Sequence, residues 1–149
     1  RRGYPLSCFE KACSDLHALQ IPFIVHTILG LPGETDAQVL KTMEYLNRIA
    51  PFGIKLQLLH VLKDTDLAKD YLEGKFETLT LDHYLDLVIS CLVHLSPDIV
   101  IHRVTGDGPK DLLIAPTWSL DKRNVLNSLH RRMKEQGVRQ GELYRPDDT

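Results

Sequence analysis

The sequence contains few cysteines, almost no net charge and no long hydrophobic run. Its 18 lysines and arginines nearly balance its 20 aspartates and glutamates, which gives a formal net charge of −2. The chain therefore lacks the positive excess by which a domain attracts nucleic acid through its overall field. No apolar stretch approaches the roughly 20 residues of a transmembrane helix, so we expect no membrane partner. Three cysteines without a paired pattern are typical of a reducing compartment, which predicts a cytoplasmic location.

Several motifs that define common enzyme classes are also absent. The histidines and cysteines do not have zinc-binding spacing, and the chain contains neither a serine nucleophile elbow nor a Walker loop. We therefore predict that this chain contributes no metal ligand. Its 149 residues, 43% of them hydrophobic, are nevertheless enough to bury one core.

Hydrophobic periodicity predicts an alternation of helices and strands. Helices are expected at residues 6–19, 35–49, 80–95 and 119–136, with a short amphipathic segment at 67–72. Ser7 is expected to cap the first helix. Strands are expected at residues 21–29, 54–62 and 99–104. Because crossover connections are right-handed, the first two strands should lie parallel and adjacent, which indicates the α/β class.

One strand-to-helix corner, at residues 26–35, is the most informative segment. An apolar run changes there into an acidic helix start within one Gly-Leu-Pro-Gly step. Gly30 and Gly33 permit unusual φ angles, Pro32 fixes one φ, and Glu34 suits the positive end of the following helix. In parallel α/β folds such corners lie at the carboxyl ends of strands, where small molecules bind.

This corner resembles the radical S-adenosylmethionine enzymes, whose fifth barrel strand typically reads hydrophobic-x-Ile-x-Gly-Leu-Pro-Gly-Glu-Thr. More specifically, the chain resembles a bacterial subgroup related to the catalytic subunit of elongator, in the blocks at residues 53–56, 59–63, 101–107, 115–118 and 140–141. The resemblance covers almost the whole chain. It implies the C-terminal portion of a partial (β/α)6 TIM-like barrel at residues 1–75, with a mixed α/β C-terminal extension at residues 76–149 packed on it.

The resemblance also implies a cofactor and a reaction. Members of this family hold a [4Fe–4S] cluster with three cysteines spaced CxxxCxxC, cleave S-adenosylmethionine reductively, and use the deoxyadenosyl radical to abstract hydrogen. That spacing does not occur here. We therefore expect a longer parent protein whose missing N-terminal half of the barrel binds the cluster, and we expect the present chain to bind no cofactor and to be inactive alone.

The resemblance places one set of residues at the adenosine end of S-adenosylmethionine. This set follows the first strand into the corner and consists of His26, Ile28, Gly30, Leu31 and Pro32. Alternation along the strand puts the first three of them on a single face.

Strand alternation further predicts that Lys55 and Gln57 point into the barrel. A lysine there needs an anionic or carbonyl-like partner, which is either a carboxylate of the substrate or cofactor or an acidic residue of the missing half. His60, beyond the end of this strand, either contributes to function or closes the loop.

The segment at residues 102–110 is predicted to form a glycine-flanked loop at the barrel mouth. Arg103 offers a rigid fork for a carboxylate or phosphate, and Asp107 can orient it. A purely structural pair of these two residues is equally admissible. Trp118 is expected to be a core or interface aromatic. The catalytic candidates are therefore Lys55, Arg103 and Asp107.

Three functional hypotheses are compatible with the sequence. The chain is part of a radical enzyme, a non-catalytic binding or scaffold module, or a different barrel enzyme of the lyase or aldolase type that uses Lys55. The sequence does not identify the substrate, which is RNA, a protein or a small molecule. Because a truncated barrel exposes a strand edge, we also expect the fragment to self-associate.

Overall fold

The computed structural model describes residues 3–106 and 108–146. Its helices are α1 (Leu6–Ala18), α2 (Asp36–Ile49), α3 (Asp66–Leu72), α4 (Leu81–His94) and α5 (Lys122–Gln136). Its strands are β1 (Ile24–Leu29), β2 (Gly53–Leu58), β3 (Val61–Leu62), β4 (Val100–Arg103) and β5 (Leu113–Ala115), and Thr117–Leu120 forms a 3-10 turn. Among the described residues no helix is long and apolar enough to cross a membrane.

The central sheet has three strands in the order β1-β2-β4. Both neighbouring pairs are parallel, with Ile24 opposite Gly53 at one end of the first pair and Leu29 opposite Leu58 at the other. The predicted parallel pairing of the first two strands is therefore confirmed, as is the α/β class. Crossover helices α2 and α4 pack against each other on one side of the sheet.

The second predicted strand is wrong in its length, because it divides between two sheets. β2 ends at Leu58, and β3 pairs antiparallel with β5, a strand that periodicity did not predict. Val61 lies opposite Ala115, and the Lys63 N–H extends the pairing by donating to the Leu112 carbonyl at 2.8 Å. Leu58 and Val61, on the two sides of the division, are both apolar and buried, so composition alone does not mark where the strand leaves the first sheet.

Helix starts follow side-chain caps in most cases. Thr35 forms a reciprocal capping box with Gln38, Thr80 accepts from the His83 N–H at 3.2 Å, and Asp121 caps α5. The predicted Ser7 cap is wrong, because α1 starts directly after Pro5 and its N-terminus has no side-chain cap. The proline already has an extended backbone with φ of −75°, which suits entry into a helix.

The hydrophobic core lies between the sheet and helices α2, α4 and α5. α4 is its centre, since Tyr84 and Val88 are at most 1% exposed and the Tyr84 hydroxyl donates to the Val104 carbonyl at 2.7 Å. The segment after α5 completes the carboxyl end of α4. The Gly141 N–H donates to the Leu92 carbonyl at 3.0 Å, and the Leu143 N–H donates to the Val93 carbonyl at 2.8 Å.

Candidate functional site

The two faces of the central sheet differ in what covers them. On β1, Val25 and Leu29 are buried against the helices, whereas Ile28 between them is 42% exposed. On β2, Lys55 and Gln57 are half-buried and alternate with fully buried residues. We call the first side the helix-covered face. The second side, formed by Ile24, His26, Ile28, Lys55 and Gln57, is the open face.

Strand register brings several predicted site residues onto neighbouring positions. His26 lies opposite Lys55, and Ile28 lies opposite Gln57. A register shift in the β2-β4 pair then places Arg103 opposite Lys55. The backbones of His26, Lys55 and Arg103 thus occupy adjacent positions on three parallel strands. Arg103 also lines a cavity together with Leu92 of α4 and Leu129 of α5. Asp107, the remaining catalytic candidate, lies outside the described residues.

The corner after β1 has the backbone conformation that its glycines predict. Gly30 has φ of +86° and Gly33 has φ of +78°, which side chains with a Cβ rarely adopt. A Cβ on Gly30 would also lie only 3.0 Å from the Leu79 side chain. Leu31 is 41% exposed, and Pro32 is exposed beside it. The predicted cofactor-binding residues therefore form one continuous strip from the open face to the corner.

Glu34, which follows the corner, carries an unusual carboxyl group. Its Oε2 atom is buried and has no hydrogen-bond partner among the described residues. Burial raises the pKa of this carboxyl group because the charged form loses hydration. Behind it, burial together with the charges of Asp36 and Glu34 raises the pKa of the Cys91 thiol to about 12. Cys91 is therefore a neutral core residue rather than a metal-binding thiolate.

The described residues do not fit an iron–sulfur cluster. Cys8 is exposed on α1, Cys13 is buried on the same helix, and Cys91 is buried on α4. Within residues 3–106 and 108–146, no three His, Cys, Asp or Glu side chains converge as a metal site. A cluster of the family type would thus need ligands from outside this chain.

His60 lies between β2 and β3, at the carboxyl end of the parallel strands, and is held by residues distant in sequence. Its Nε2 atom is 3.2 Å from the Ser119 hydroxyl. Gly106 and Gly108 flank the ring so closely that a Cβ on either would crowd it, at 3.0 Å from Nδ1 for Gly106 and 3.1 Å from Cδ2 for Gly108. The sequence predicted these glycines as part of a tight loop. The signal that could have indicated the contact was this pair of closely spaced glycines together with a histidine just after the end of β2.

A small cavity connects His60 to the open face. Its volume is about 270 Å³, and it is lined by Ile28, Gln57, Leu58, Leu59, His60 and Gly106. The cavity therefore adjoins β1 beside the predicted cofactor strip. Burial and the nearby positive charge of Lys122 lower the pKa of His60, so its imidazole is neutral at pH 7.

Trp118 packs against the core, as the sequence predicts. The Trp118 indole N–H donates to the Leu79 carbonyl at 2.9 Å, and its ring packs 5.3 Å from that of Tyr84 at the edge of the core. His17 and His83 are exposed on helices, where His83 lies 2.9 Å from the Asp36 carboxylate.

Together the parallel strands, the glycine corner and the open face define an α/β unit in which helices α2, α4 and α5 pack on one face of the sheet. Residues 51–135 match the family model of the Radical_SAM C-terminal domain, and the chain belongs to this family.

Two curated relatives extend this match over almost the entire chain. The uncharacterized protein YtqA of Bacillus subtilis is 35% identical over 143 residues, which cover 96% of this chain and 44% of the relative. An uncharacterized protein of Methanocaldococcus jannaschii is 34% identical over 144 residues, which cover 96% of this chain and 45% of that relative. The chain thus spans less than half the length of these curated relatives.

Among solved structures, Elp3 of the archaeon Methanocaldococcus infernus, with its N-terminus deleted, has a similar fold. The superposition has a TM-score of 0.79 at 16% identity and covers 94% of this chain and 33% of that protein. At this identity the likeness shows a shared fold. The mixed α/β architecture with a parallel sheet is therefore shared with this part of Elp3.

Proposed function

We propose that this chain is the C-terminal part of a radical S-adenosylmethionine enzyme whose cluster is bound by another part of the parent protein. The observation that supports this most strongly is the family match over residues 51–135, combined with the glycine corner at the carboxyl end of β1. When bound, the cluster and S-adenosylmethionine supply reductive cleavage of the cofactor and hydrogen abstraction from the substrate. By itself, this chain is inactive in that reaction.

In this proposal the strip from His26 through Ile28, Gly30, Leu31 and Pro32 contacts the adenosine end of the cofactor. Two observations support the fit. Ile28 offers an apolar side chain that is 42% exposed on the open face, and Gly30, with φ of +86°, turns the chain at the end of the strand.

Lys55 and Arg103 orient the substrate in the same proposal. Their strands are paired with these two residues opposite each other, and Lys55 lies on the open face. A lysine and an arginine together suit a carboxylate, phosphate or carbonyl oxygen. That group is carried by RNA, a protein or a small molecule.

The missing N-terminal half of the barrel is the proposed partner of the open face. Ile24 and Ile28 are 38% and 42% exposed there, which is unusual for the aliphatic residues of a parallel sheet. We further propose that residues 1–75 are part of the barrel, that residues 76–149 are its extension, and that the parent acts in the cytoplasm.

The decisive experiment is anaerobic cluster reconstitution of the longer parent protein, followed by measurement of deoxyadenosine after reduction in the presence of S-adenosylmethionine. We expect a cluster spectrum and deoxyadenosine from the parent, and neither from the 149-residue chain. Calorimetry should likewise detect no tight binding of S-adenosylmethionine to the chain alone.

A parent that assembles no cluster would favour the scaffold hypothesis. Borohydride trapping of a carbonyl substrate on Lys55 would instead favour a lyase or aldolase. Micromolar or tighter binding of S-adenosylmethionine to the isolated chain would contradict the proposal that tight binding needs the part of the parent that holds the cluster.

A further inference from the structure

The glycine corner packs against the segment that leads into α4. A Cβ on Gly30 would lie 3.0 Å from both Cγ and Cδ1 of Leu79, so the leucine side chain lies directly against the turn. Leu79 immediately precedes Thr80, the N-cap of α4, and its side chain also packs against the hydrophobic core. The contact therefore joins the corner to a part of the fold that is distant in the chain.

A hydrogen bond holds Leu79 from its other side. The Trp118 indole N–H donates to the Leu79 carbonyl at 2.9 Å, and the Trp118 ring lies 5.3 Å from that of Tyr84. Tyr84 is only 1% exposed, so the indole rests on the buried centre of the core. Because an indole has a single N–H donor and its large ring is packed, this bond fixes the backbone at Leu79. Contacts thus run from the core through Trp118 and Leu79 to Gly30.

The 3-10 turn that carries Trp118 also contacts the loop after β2. The hydroxyl of Ser119, the next residue, lies 3.2 Å from Nε2 of His60. Beside His60, the Leu59 N–H donates at 2.9 Å to the carbonyl of Leu29, the last residue of β1. One turn near the C-terminus therefore contacts the two segments that adjoin the corner.

The corner depends on such contacts because its own residues are largely exposed. Leu31, Pro32 and Gly33 are all exposed, so burial contributes little to holding them in place. The Glu34 N–H donates to the Leu31 carbonyl at 3.1 Å and closes the turn. Exchange of this amide hydrogen with solvent reports how often the turn opens.

We propose that Trp118 is a positioning residue of the glycine corner, which it holds in shape by fixing Leu79 against Gly30. The corner in this shape receives the adenosine end of S-adenosylmethionine, a statement that rests on the function proposed above. The positioning itself does not rest on that function. Trp118 acts through Leu79 and is not a catalytic residue.

The first test is amide hydrogen exchange in the 149-residue chain, followed by nuclear magnetic resonance. Trp118→Phe removes the indole N–H and keeps an aromatic ring beside Tyr84. We expect the Glu34 amide to exchange about threefold to tenfold faster, as the loss of one hydrogen bond allows. Thermal melts establish that the variant is folded.

Tyr84→Phe is the matched control. It removes a hydroxyl that donates to the Val104 carbonyl at 2.7 Å, and it keeps the ring against Trp118. The exchange rate at Glu34 should stay within about twofold, because this bond does not involve Leu79. Equal rates in the unsubstituted and Trp118→Phe chains would overturn the proposal. Equal acceleration by Tyr84→Phe would do the same, since it would indicate general loosening of the core.

A double substitution tests whether the effect runs through Leu79. Leu79→Ala deletes the contact with Gly30 and leaves the backbone carbonyl in place for Trp118. We expect it to accelerate exchange at Glu34 at least as much as Trp118→Phe. Adding Trp118→Phe to Leu79→Ala should then change the rate by less than about twofold, because the route is already broken. Two effects that multiply independently would disprove this route.

The parent enzyme tests the consequence for the cofactor. Trp118→Phe should raise KM for S-adenosylmethionine about threefold to tenfold and keep kcat for deoxyadenosine formation within about twofold. A purely structural role would reduce the amount of active enzyme, which lowers kcat without moving KM. An unchanged KM would overturn the link to the cofactor. A parent that forms no cluster would contradict the proposed function, whereas the exchange rates would still decide whether Trp118 holds the corner.

Discussion

The two faces of the central sheet use the same strands for different purposes. On the helix-covered face, Leu29, Ile54 and Leu56 are at most 1% exposed, whereas on the open face Ile24 and Ile28 are 38% and 42% exposed. Because apolar burial is the main stabilising term in folding, the first face holds the unit together. The second face contributes little to stability and is therefore available for contacts with a cofactor, a substrate or another part of the protein.

The largest effect should come from shortening a side chain on the helix-covered face. Leu56→Ala leaves a cavity at a position with 0% exposure, and we expect a loss of about 2–5 kcal/mol in the free energy of unfolding. The matched change on the open face, Ile28→Ala, should cost less than about 1 kcal/mol. Urea denaturation of both variants tests the comparison. Equal losses would show that the open face is covered in the isolated chain.

The next prediction concerns activity of the intact parent. Lys55→Met and Arg103→Gln remove a cationic head but keep much of the stem, so we expect unfolding free energies to change by about 1–2 kcal/mol at most. Product formation should fall at least about tenfold, as for the loss of a charged contact to substrate. Uncoupled cleavage of S-adenosylmethionine should persist, because the cluster is not affected.

Thermal melts and deoxyadenosine production are measured together for each of these two variants. Leu56→Ala serves as the control for activity lost through instability. If Lys55→Met or Arg103→Gln lost the fold and both activities at once, the residue would belong to a structural ion pair.

Self-association should also distinguish the two faces. β1 is an edge strand of the sheet, and its open face exposes Ile24 and Ile28. We expect the chain to form dimers or larger species at high concentration, because unpaired strand edges and apolar patches associate. Ile28→Lys should shift this equilibrium toward the monomer. Light scattering checks both, and a strictly monomeric unsubstituted chain at high concentration would disprove the idea.

The smallest expected effect is a pH dependence centred on His60. Burial lowers its pKa in the folded state, so its contribution to stability is complete above the ordinary value of 6.5 and is lost as the pH falls below that value. His60→Gln cannot titrate. The unsubstituted chain should therefore lose stability relative to this variant as the pH falls from about 7 to about 5.

The raised pKa of Glu34 acts in the opposite direction, because its contribution is complete below 4.5 and is lost as the pH rises through its folded-state pKa. Glu34 is present in both proteins, so the difference between them isolates His60. A difference that stayed constant with pH would show that His60 titrates normally.

Sequence periodicity predicted the two faces correctly, because alternation is a local property of a strand. Val25 and Leu29 are buried and Ile28 is exposed, as period-two alternation requires. The same reasoning did not separate β3 from β2, because Val61 is as apolar as Leu58 and its partner Ala115 is distant in the chain. Where a strand leaves one sheet for another depends on tertiary pairing, which an apolar run does not encode.

The site followed the same rule. The glycine corner was predictable since φ angles of +86° and +78° are a local demand that Gly30 and Gly33 meet. The contact between His60 and Ser119 was not predictable, because it joins two single residues on segments without any shared periodicity. Gly106 was recognised as a loop residue, but its role in admitting the imidazole ring depends on the packing of that loop.

The hydrogen bonds that complete the end of α4 have a consequence for biosynthesis. The carbonyls of Leu92 and Val93 are paired with the N–H groups of Gly141 and Leu143, and the Gln140 side chain donates to two further carbonyls in the turn that follows α4. A chain emerging from the ribosome exposes α4, the centre of the core, long before these partners are made. The carbonyls at the end of the central helix therefore lack these partners until almost the last described residue has been synthesised.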